Sequence, residues 1–245
     1  YAMKIIAIGV VPENRRPSSS SAWLLLILFL PVVGFPLYWL IGSPWVTGRR
    51  QKVQQQADEI IKTHTRGLPL IPEGADASHG LTSVVTMNRD LTGLPCMTGE
   101  VQRLVADAQE TYTAMAEAVD RATRYVHVEF YIMCWDDTTD VFFQSLANAV
   151  KRGVKVRLLV DQIGSQKYPG WRDFGKRLTA IGVEWRLMMP IDLLRGRWRR
   201  PDLRNHRKLL VVDGDHAMVG SHNVIDPHYG SKKNVEIGRR WHDLS

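Results

Sequence analysis

The chain has 245 residues, a length that accommodates one or two domains. Apolar residues make up 44% of it, which is enough for a sizeable hydrophobic core and excludes a collagen-like or wholly disordered chain. The formal net charge of +7 suits an anionic partner such as nucleic acid, a membrane surface or a phosphate-bearing substrate, and the two cysteines, Cys96 and Cys134, imply neither a disulfide framework nor a cysteine zinc site.

The N-terminal part of the sequence is dominated by apolar segments. Residues 1–20 combine the end of a truncated first hydrophobic span with a polar loop. Residues 21–46 contain no charged side chain and supply the ~20 apolar residues that a helix needs to cross a ~30 Å bilayer core. Aromatic side chains such as Trp23 and Trp45 lie near the ends of this run, as is typical of membrane interfaces. The sequence therefore predicts a transmembrane helix over residues 21–46.

The charges around this helix predict its orientation. Basic residues such as Arg49, Arg50 and Lys52 follow the second span, and they outnumber those of the loop between the two spans. Because loops rich in Lys and Arg stay in the cytoplasm, we expect a multi-pass protein of the cell membrane with a cytoplasmic C-terminal body.

Residues 47–100 are predicted to connect the membrane segment to that body. Residues 51–65 can form a polar helix. Residues 67–99 are rich in Gly, Pro, Ser and Thr, which predicts loops with short strands.

From residue 101 to 245, predicted strands and helices alternate. Apolar residues at helical spacing predict helices around Met115 and Leu146 and over residues 171–181. Runs rich in β-branched and aromatic residues predict strands over residues 101–105, 125–132, 155–160, 183–188, 208–212 and 216–219. Such alternation predicts an α/β sandwich with a largely buried sheet.

A histidine and a lysine stand together at the start of the predicted strand 208–212. His206 and Lys208 are two residues apart, so their side chains leave the same face of an extended chain. An ammonium can neutralise phosphoryl oxygens, and an imidazole can attack phosphorus or transfer a proton. The pair therefore predicts a site for phosphate chemistry.

Three further candidates follow this pair. Asp213 closes the strand, and Ser221 and Asn223 come after the next strand, behind Gly220. Glycine permits close approach to the backbone, and Ser and Asn supply neutral hydrogen-bond donors for phosphoryl oxygens. No cluster of metal ligands lies nearby in the sequence, so we expect cations and amides to stabilise the charge without a metal.

The pattern His-x-Lys-x4-Asp-x6-Gly-Ser-x-Asn is complete from His206 to Asn223 and resembles the motif of the phospholipase D superfamily. Bacterial cardiolipin synthases of that superfamily are resembled by the two hydrophobic N-terminal spans and by residues 125–132, 163–165, 168–170, 201–214 and 238–244. The resemblance extends from about residue 5 to residue 245. It implies that residues 101–245 form the first phospholipase D-like α/β sandwich half-domain.

The resemblance implies a membrane enzyme that transfers a phosphatidyl group between two phosphatidylglycerol molecules. The products would be cardiolipin and glycerol, formed through a phosphatidyl-histidine intermediate without a metal or organic cofactor. His206 would be the nucleophile or the matching general acid/base. The family's complete members carry two such motifs, and this sequence carries one. A missing C-terminal half or a second chain would therefore have to complete the site.

The resemblance also implies roles for the residues around His206. Lys208 and Asn223 would hold phosphoryl oxygens with assistance from Ser221. Asp243 would orient the imidazole, and Asp213, grouped with the catalytic residues by the motif, would act as a hydrogen-bonding organiser.

Other interpretations stay open. The chain can instead be a hydrolase of the same superfamily, either a phospholipase D or a single-motif nuclease that works as a homodimer, since a basic surface also suits nucleic acid. It can also be a catalytically silent membrane-anchored scaffold. The arginine-rich residues 195–207 predict a loop that grips anionic head groups. With the membrane span, this context favours lipid as the partner, and no nucleic acid is expected.

Overall fold

The computed structural model describes residues 2–12, 17–42, 49–75, 78–191 and 204–245. The chain divides into two compact units, Tyr1–Gln102 and Arg103–Ser245. In the first unit, the described residues form α1 (Ala2–Val10), α2 (Pro17–Phe29), α3 (Pro31–Leu37), a π-helical turn (Tyr38–Gly42), α4 (Arg49–Thr65) and α5 (His79–Thr92).

The predicted transmembrane helix over residues 21–46 is not confirmed, and residues 43–46 lie outside the described residues. Helix α2 ends at Phe29, Leu30 leaves the helical conformation, and Pro31 begins α3. The proline ring disfavours helical geometry in the preceding residue, which explains the break. Helix α2 has 13 residues, which span only about 20 Å at ~1.5 Å per residue. Within the described residues, no helix combines the length and the apolar composition that crossing a membrane requires.

Helices α1, α2 and α3 pack on one another around buried apolar side chains. Ala7, Val11, Ile27 and Tyr38 form the buried cluster. A Cβ added to Gly34 of α3 would lie 2.8 Å from the Leu26 carbonyl oxygen, so glycine permits α3 to fold back closely on α2.

The connector also differs from its predicted form. The polar helix α4 is present, but residues predicted as loops and short strands contain helix α5. The Ser78 side chain accepts a hydrogen bond from the Leu81 backbone, and Gly93 ends the helix in the left-handed conformation. Residues 101–105 are not a strand of the sheet, although Val105 exchanges two backbone hydrogen bonds with Ser245, at 2.8 and 2.9 Å.

The second unit is built on one mixed sheet. Its elements are α6 (Ala108–Asp120), β1 (Tyr125–Phe130), α7 (Asp140–Lys151), β2 (Lys155–Asp161), α8 (Gln162–Ser165), α9 (Trp171–Ala180), β3 (Glu184–Met188), β4 (Lys208–Val212), β5 (His216–Val219) and α10 (Lys232–Glu236). The strand order is β3-β2-β1-β4-β5. Strands β1, β2 and β3 are parallel, whereas β4 runs antiparallel to β1 and β5 antiparallel to β4. The five predicted strands from residue 125 onward are confirmed, and the α/β fold with them.

One face of the sheet carries the hydrophobic core. Alternate residues of β1 and β2, such as Val128 and Leu158, point into it and meet Phe142 of α7 and Tyr112 of α6. Side chains of β2 such as Leu159, which is 40% exposed, point to the opposite face. The expectation of a largely buried sheet is therefore met on one face.

The sheet topology brings several chain segments together at one edge. The carboxyl ends of the parallel strands β1 and β2 lie side by side, since Phe130 pairs with Val160. Phe130 also pairs with Lys208, the first residue of β4. The candidate residues at the start of β4 thus lie at the carboxyl edge of β1 and β2.

Candidate active site

His206 and Lys208 contact each other directly. The Lys208 Nζ lies 3.0 Å from His206 Nδ1, 3.4 Å from Nε2 and 2.9 Å from the His206 carbonyl oxygen. Lys208 is buried, with 6% of its surface exposed, whereas His206 is exposed. The predicted pairing of an imidazole with an ammonium therefore exists at the start of β4.

This contact constrains the charge on the imidazole. An ammonium has only donors, so the ring nitrogen facing Lys208 must offer a lone pair. Loss of solvent and the Lys208 charge both lower the pKa of His206 below its usual value. Burial likewise lowers the pKa of Lys208, although the Asp243 carboxylate opposes that shift. His206 thus presents a neutral imidazole beside a cation at neutral pH.

The aromatic ring of Tyr131 lies next to both His206 and Lys208. Its centroid lies 4.5 Å from that of the His206 imidazole, and the Lys208 Nζ lies 5.9 Å from the same ring. The sequence identified Tyr131 only as part of a strand. An aromatic residue in a strand is ordinarily a packing residue, so its role at the site becomes visible only when the sheet order is known.

The end of β2 fixes the position of Tyr131. Asp161 caps the short helix α8 by accepting a hydrogen bond from the Gly164 backbone at 2.9 Å. Ser165 then donates to the Tyr131 carbonyl oxygen at 3.3 Å and accepts from the Met133 backbone at 3.0 Å. Because Ser165 is fully buried, these bonds tie β1 to α8 away from water.

The segment that leads into His206 is anchored by polar contacts. Arg204 forms a buried ion pair with Asp161 at 3.3 Å and donates to the Met189 carbonyl oxygen at 2.6 Å. Asn205 donates to the Glu129 carboxylate on β1. These contacts hold the chain ahead of the imidazole. Most of the predicted basic loop lies in residues 192–203, outside the described residues.

Ser221 and Asp243 are brought together by the C-terminal segment. The Ser221 hydroxyl donates to the Asp243 carboxylate at 2.6 Å and accepts from the Leu244 backbone at 3.2 Å. The predicted partner of Asp243 was His206. Among the described residues no hydrogen bond joins those two side chains, and Asp243 instead holds Ser221. Its carboxylate still lies near Lys208, whose pKa it raises.

Hydrogen bonds to the side chain and to the backbone of Asn223 fix its position. Its side-chain oxygen accepts from the Ile132 backbone at 3.2 Å, and its amide nitrogen donates to the Tyr229 hydroxyl at 2.9 Å. The buried Tyr112 hydroxyl lies 2.8 Å from the Asn223 carbonyl oxygen and 2.7 Å from that of Ile225. Tyr112 thus fixes the backbone that carries Asn223, a role that its helical spacing alone did not distinguish from core packing.

Asp213 lies at the opposite end of β4. The strand rises ~3.3 Å per residue, so about 16 Å separates Asp213 from Lys208. Its carboxylate accepts four hydrogen bonds of 2.8 Å: two from Thr123 and one each from the backbones of Arg124 and Tyr125. These bonds hold its pKa well below the usual range. Asp213 therefore fixes the entry to β1 and does not touch a phosphate held at His206.

Among the described residues, no three His, Cys, Asp or Glu side chains form a cluster that could hold a metal ion. Among the described residues, Lys208 is a charged group in contact with His206, Lys208 in turn lies near the Asp243 carboxylate, and the Arg204–Asp161 ion pair anchors the segment that precedes His206. This arrangement can bind an anion and present a nucleophile to it.

Two family models match the chain. The model described as "Cardiolipin synthase, PLD-like domain" matches residues 115–243, which include all six candidate site residues. The model described as "Phospholipase_D-nuclease N-terminal" matches residues 3–43, the apolar N-terminal region.

The chain is also similar to named bacterial proteins. A cardiolipin synthase of Clostridium perfringens (strain 13 / Type A) is 28% identical over 235 residues, which cover 94% of this chain and 48% of that protein. A cardiolipin synthase of Geobacillus kaustophilus is 28% identical, covering 98% and 47%. Cardiolipin synthase 1 of Bacillus anthracis is 30% identical, covering 99% and 48%. The chain thus spans about half the length of these relatives.

Proposed function

Because the chain belongs to the cardiolipin synthase family with a phospholipase D-like domain, we propose that it supplies one half of a phosphatidyltransferase active site. The enzyme transfers a phosphatidyl group from one phosphatidylglycerol molecule to another and releases glycerol. The observation that carries this proposal is the contact between His206 and Lys208, whose Nζ lies 3.0 Å from the imidazole Nδ1.

In the first step, a nitrogen of His206 attacks the phosphorus of phosphatidylglycerol. A nitrogen–phosphorus bond forms, and the bond from phosphorus to the glycerol head group breaks. Lys208 transfers its hydrogen bonds from the imidazole to the phosphoryl oxygens, which frees the ring lone pair and stabilises the developing charge. Asn223 would donate a further hydrogen bond to these oxygens, and Ser221 would do so by turning its hydroxyl hydrogen away from the Asp243 carboxylate.

The departing glycerol oxygen needs a proton, and the site described here has one nucleophilic histidine. We propose that a second His-Lys motif supplies that proton, either from sequence corresponding to the other half of the relatives or from a second copy of the chain. In the second step, that group takes the proton from the hydroxyl of another phosphatidylglycerol. The hydroxyl oxygen bonds to phosphorus and the nitrogen–phosphorus bond breaks, which gives cardiolipin.

The substrate places the reaction at a membrane, and the N-terminal unit supports that location. Apolar side chains of α2 and α3 are open to the surroundings: Phe29 is 77% exposed and Val32 is 87% exposed. Exposed apolar patches of this kind mark surfaces that are covered in use. We propose that residues 17–42 sit in the cell membrane, with the catalytic body on the cytoplasmic side, where the charges at Arg49, Arg50 and Lys52 belong.

The test uses the full-length protein and vesicles that contain phosphatidylglycerol labelled in its head group. We expect one glycerol released for each cardiolipin formed. His206→Ala should lower this turnover to background and remove the acid-labile phosphatidyl adduct from the protein. His216→Ala, a substitution in β5 away from the candidate site, should leave turnover unchanged.

Other products would identify a different enzyme. Phosphatidic acid without cardiolipin would indicate a phospholipase D, and cleavage of DNA would indicate a nuclease. Full turnover by the His206→Ala variant would remove His206 from the role of nucleophile.

A further inference from the structure

The orientation of the Asn223 side chain is fixed by its backbone neighbour. The Ile132 N–H is a donor and lies 3.2 Å from the Asn223 Oδ1, so the oxygen must face Ile132. The amide nitrogen then faces Tyr229, 2.9 Å from its hydroxyl oxygen. An amide nitrogen can only donate, and the Tyr229 hydroxyl is therefore the acceptor in this bond.

The hydrogen of the Tyr229 hydroxyl consequently points elsewhere. Among the described residues, no group accepts it. Burial, the largest effect, together with the nearby Asp243 carboxylate raises the pKa of Tyr229, although the bond from Asn223 opposes the shift. The hydroxyl therefore remains protonated at neutral pH and has a hydrogen to donate.

The ring that carries this hydroxyl is held rigidly. It stacks on Trp241 at 5.5 Å with an interplanar angle of 19°, and it meets Tyr168 edge-on at 5.7 Å. The Trp241 indole nitrogen also donates to the Tyr229 carbonyl oxygen at 3.0 Å. A donor fixed in this way is pre-organised, because no side-chain freedom is lost when it binds a ligand.

The hydroxyl lies on the side of the site where phosphoryl oxygens would be held. The Tyr229 hydroxyl lies 2.9 Å from the side chain of Asn223, a candidate phosphate-binding residue, and the Asp243 carboxylate acts electrostatically on both Lys208 and Tyr229. Tyr229 packs in one cluster with Tyr131, whose ring contacts the His206 imidazole. The free hydroxyl thus belongs to the same group of side chains as the His206–Lys208 pair.

We propose that Tyr229 is a phosphate-binding residue whose hydroxyl donates a hydrogen bond to a non-bridging oxygen of the phosphodiester at His206. Asn223 fixes the direction of that hydrogen by donating to the Tyr229 oxygen, and its second amide hydrogen remains for the phosphate. That the phosphodiester is a phosphatidyl group rests on the proposed function. The donor itself fits any phosphodiester or free phosphate.

The first test is the binding of inorganic phosphate to the full-length protein, measured by titration calorimetry. Tyr229→Phe keeps the aromatic packing and removes only the hydroxyl, so the affinity should fall about tenfold, as expected for one hydrogen bond to a charged group. Tyr168→Phe, which removes a hydroxyl from the adjacent ring, should bind phosphate as the wild type does. Equal affinities of Tyr229→Phe and wild type, or no phosphate binding by the wild type, would overturn the proposal.

The second test separates this proposal from the proposed function. We expect Tyr229→Phe to lower kcat by about ten- to a hundredfold for cardiolipin formation, with a smaller change in KM, because the donor acts on charge that develops in the transition state. If the wild type forms no cardiolipin but Tyr229→Phe still weakens phosphate binding, the proposed function fails and the role of Tyr229 stands. If cardiolipin forms and Tyr229→Phe changes neither phosphate affinity nor kcat, the role of Tyr229 fails alone.

Discussion

At the scale of single residues, the site depends on a neutral imidazole next to a buried cation. Partial loss of solvent and the Lys208 charge both lower the pKa of His206, so its lone pair is present at neutral pH. The Asp243 carboxylate opposes the loss of the Lys208 charge. The two side chains therefore keep the protonation states that the proposed attack on an anionic phosphodiester needs.

This coupling predicts the titration of His206. In Lys208→Met the pKa of His206 should rise toward its ordinary value of ~6.5, because the neighbouring charge is gone while only the partial loss of solvent remains. The imidazole would then become protonated at a higher pH, and any residual activity would be lost earlier on acidification. The measurement is a proton NMR titration of the ring, with the signal assigned by its absence in His206→Gln.

The matched control is Lys151→Met at the end of α7, which removes the same charge from an exposed position. It should leave the titration of His206 unchanged. An unchanged pKa in Lys208→Met would contradict the electrostatic coupling.

The residue scale also shows what spacing can and cannot predict. The sequence predicts the pairing of His206 with Lys208, because residues two apart in one extended segment leave the same face. Tyr131 and Tyr229 were not singled out, because aromatic side chains ordinarily serve packing and their approach to the site depends on strand order. Asp213 shares the motif, but five residues of strand carry it to the other end of β4.

At the scale of secondary-structure elements, the junction between β2 and α8 positions Tyr131, whose ring contacts the His206 imidazole. A Cβ added to Gly164 would lie 2.2 Å from the Tyr131 carbonyl oxygen. Glycine is therefore required for α8 to approach β1, and the Ser165 bonds to Tyr131 and Met133 depend on that approach.

We expect Gly164→Ala to displace the end of β1. Overpacking at a buried contact costs about 1–3 kcal/mol of unfolding free energy, and the shift of Tyr131 should also lower kcat. Chemical denaturation and turnover would be measured on the same preparations. Gly80→Ala in α5, where nothing lies within 4 Å of the added Cβ, should leave stability equal or slightly higher. A Gly164→Ala protein of wild-type stability would show that the junction can relax.

The sequence predicts elements that have a clear hydrophobic periodicity. It does not predict elements whose ends are set by a single capping, glycine or proline residue. The strands from residue 125 onward follow β-branched and aromatic runs. The composition of the α5 segment, rich in glycine, serine and threonine, predicts loops, whereas the helix is defined locally by the Ser78 cap and by Gly93 at its end. The predicted membrane helix contains enough apolar residues, but Pro31 divides it.

At the scale of the whole molecule, the second unit carries one His-Lys pair at the edge of one sheet. The chain spans about half the length of its relatives, and the proposed reaction uses two such pairs. If two copies of the chain meet at one phosphate, these 245 residues can turn over substrate by themselves. If they do not, additional sequence must supply the second pair.

The dependence of activity on chain concentration distinguishes the two sources of the second pair. If a second copy completes the site, specific activity of the 245-residue chain should rise with chain concentration and level off once dimers dominate, since association follows mass action. If the second pair comes from the remaining half of a longer protein, the 245-residue chain should be inactive at every concentration. The measurement is the initial rate of cardiolipin formation over a hundredfold range of chain concentration, with His206→Ala as the blank.

The antiparallel pairing of β4 with β1 has a consequence for how the protein folds. Strands β1 and β2 are joined by one helix and can pair early, whereas the bond between Asp213 and Thr123 joins residues 90 positions apart. Closing so long a loop is entropically costly, so β4 should dock late. Lys208 would then reach the carboxyl edge only in the last stage of folding. Lys208 would therefore reach its position only in molecules in which the parallel strands have paired and Asp213 has formed its hydrogen bonds to Thr123.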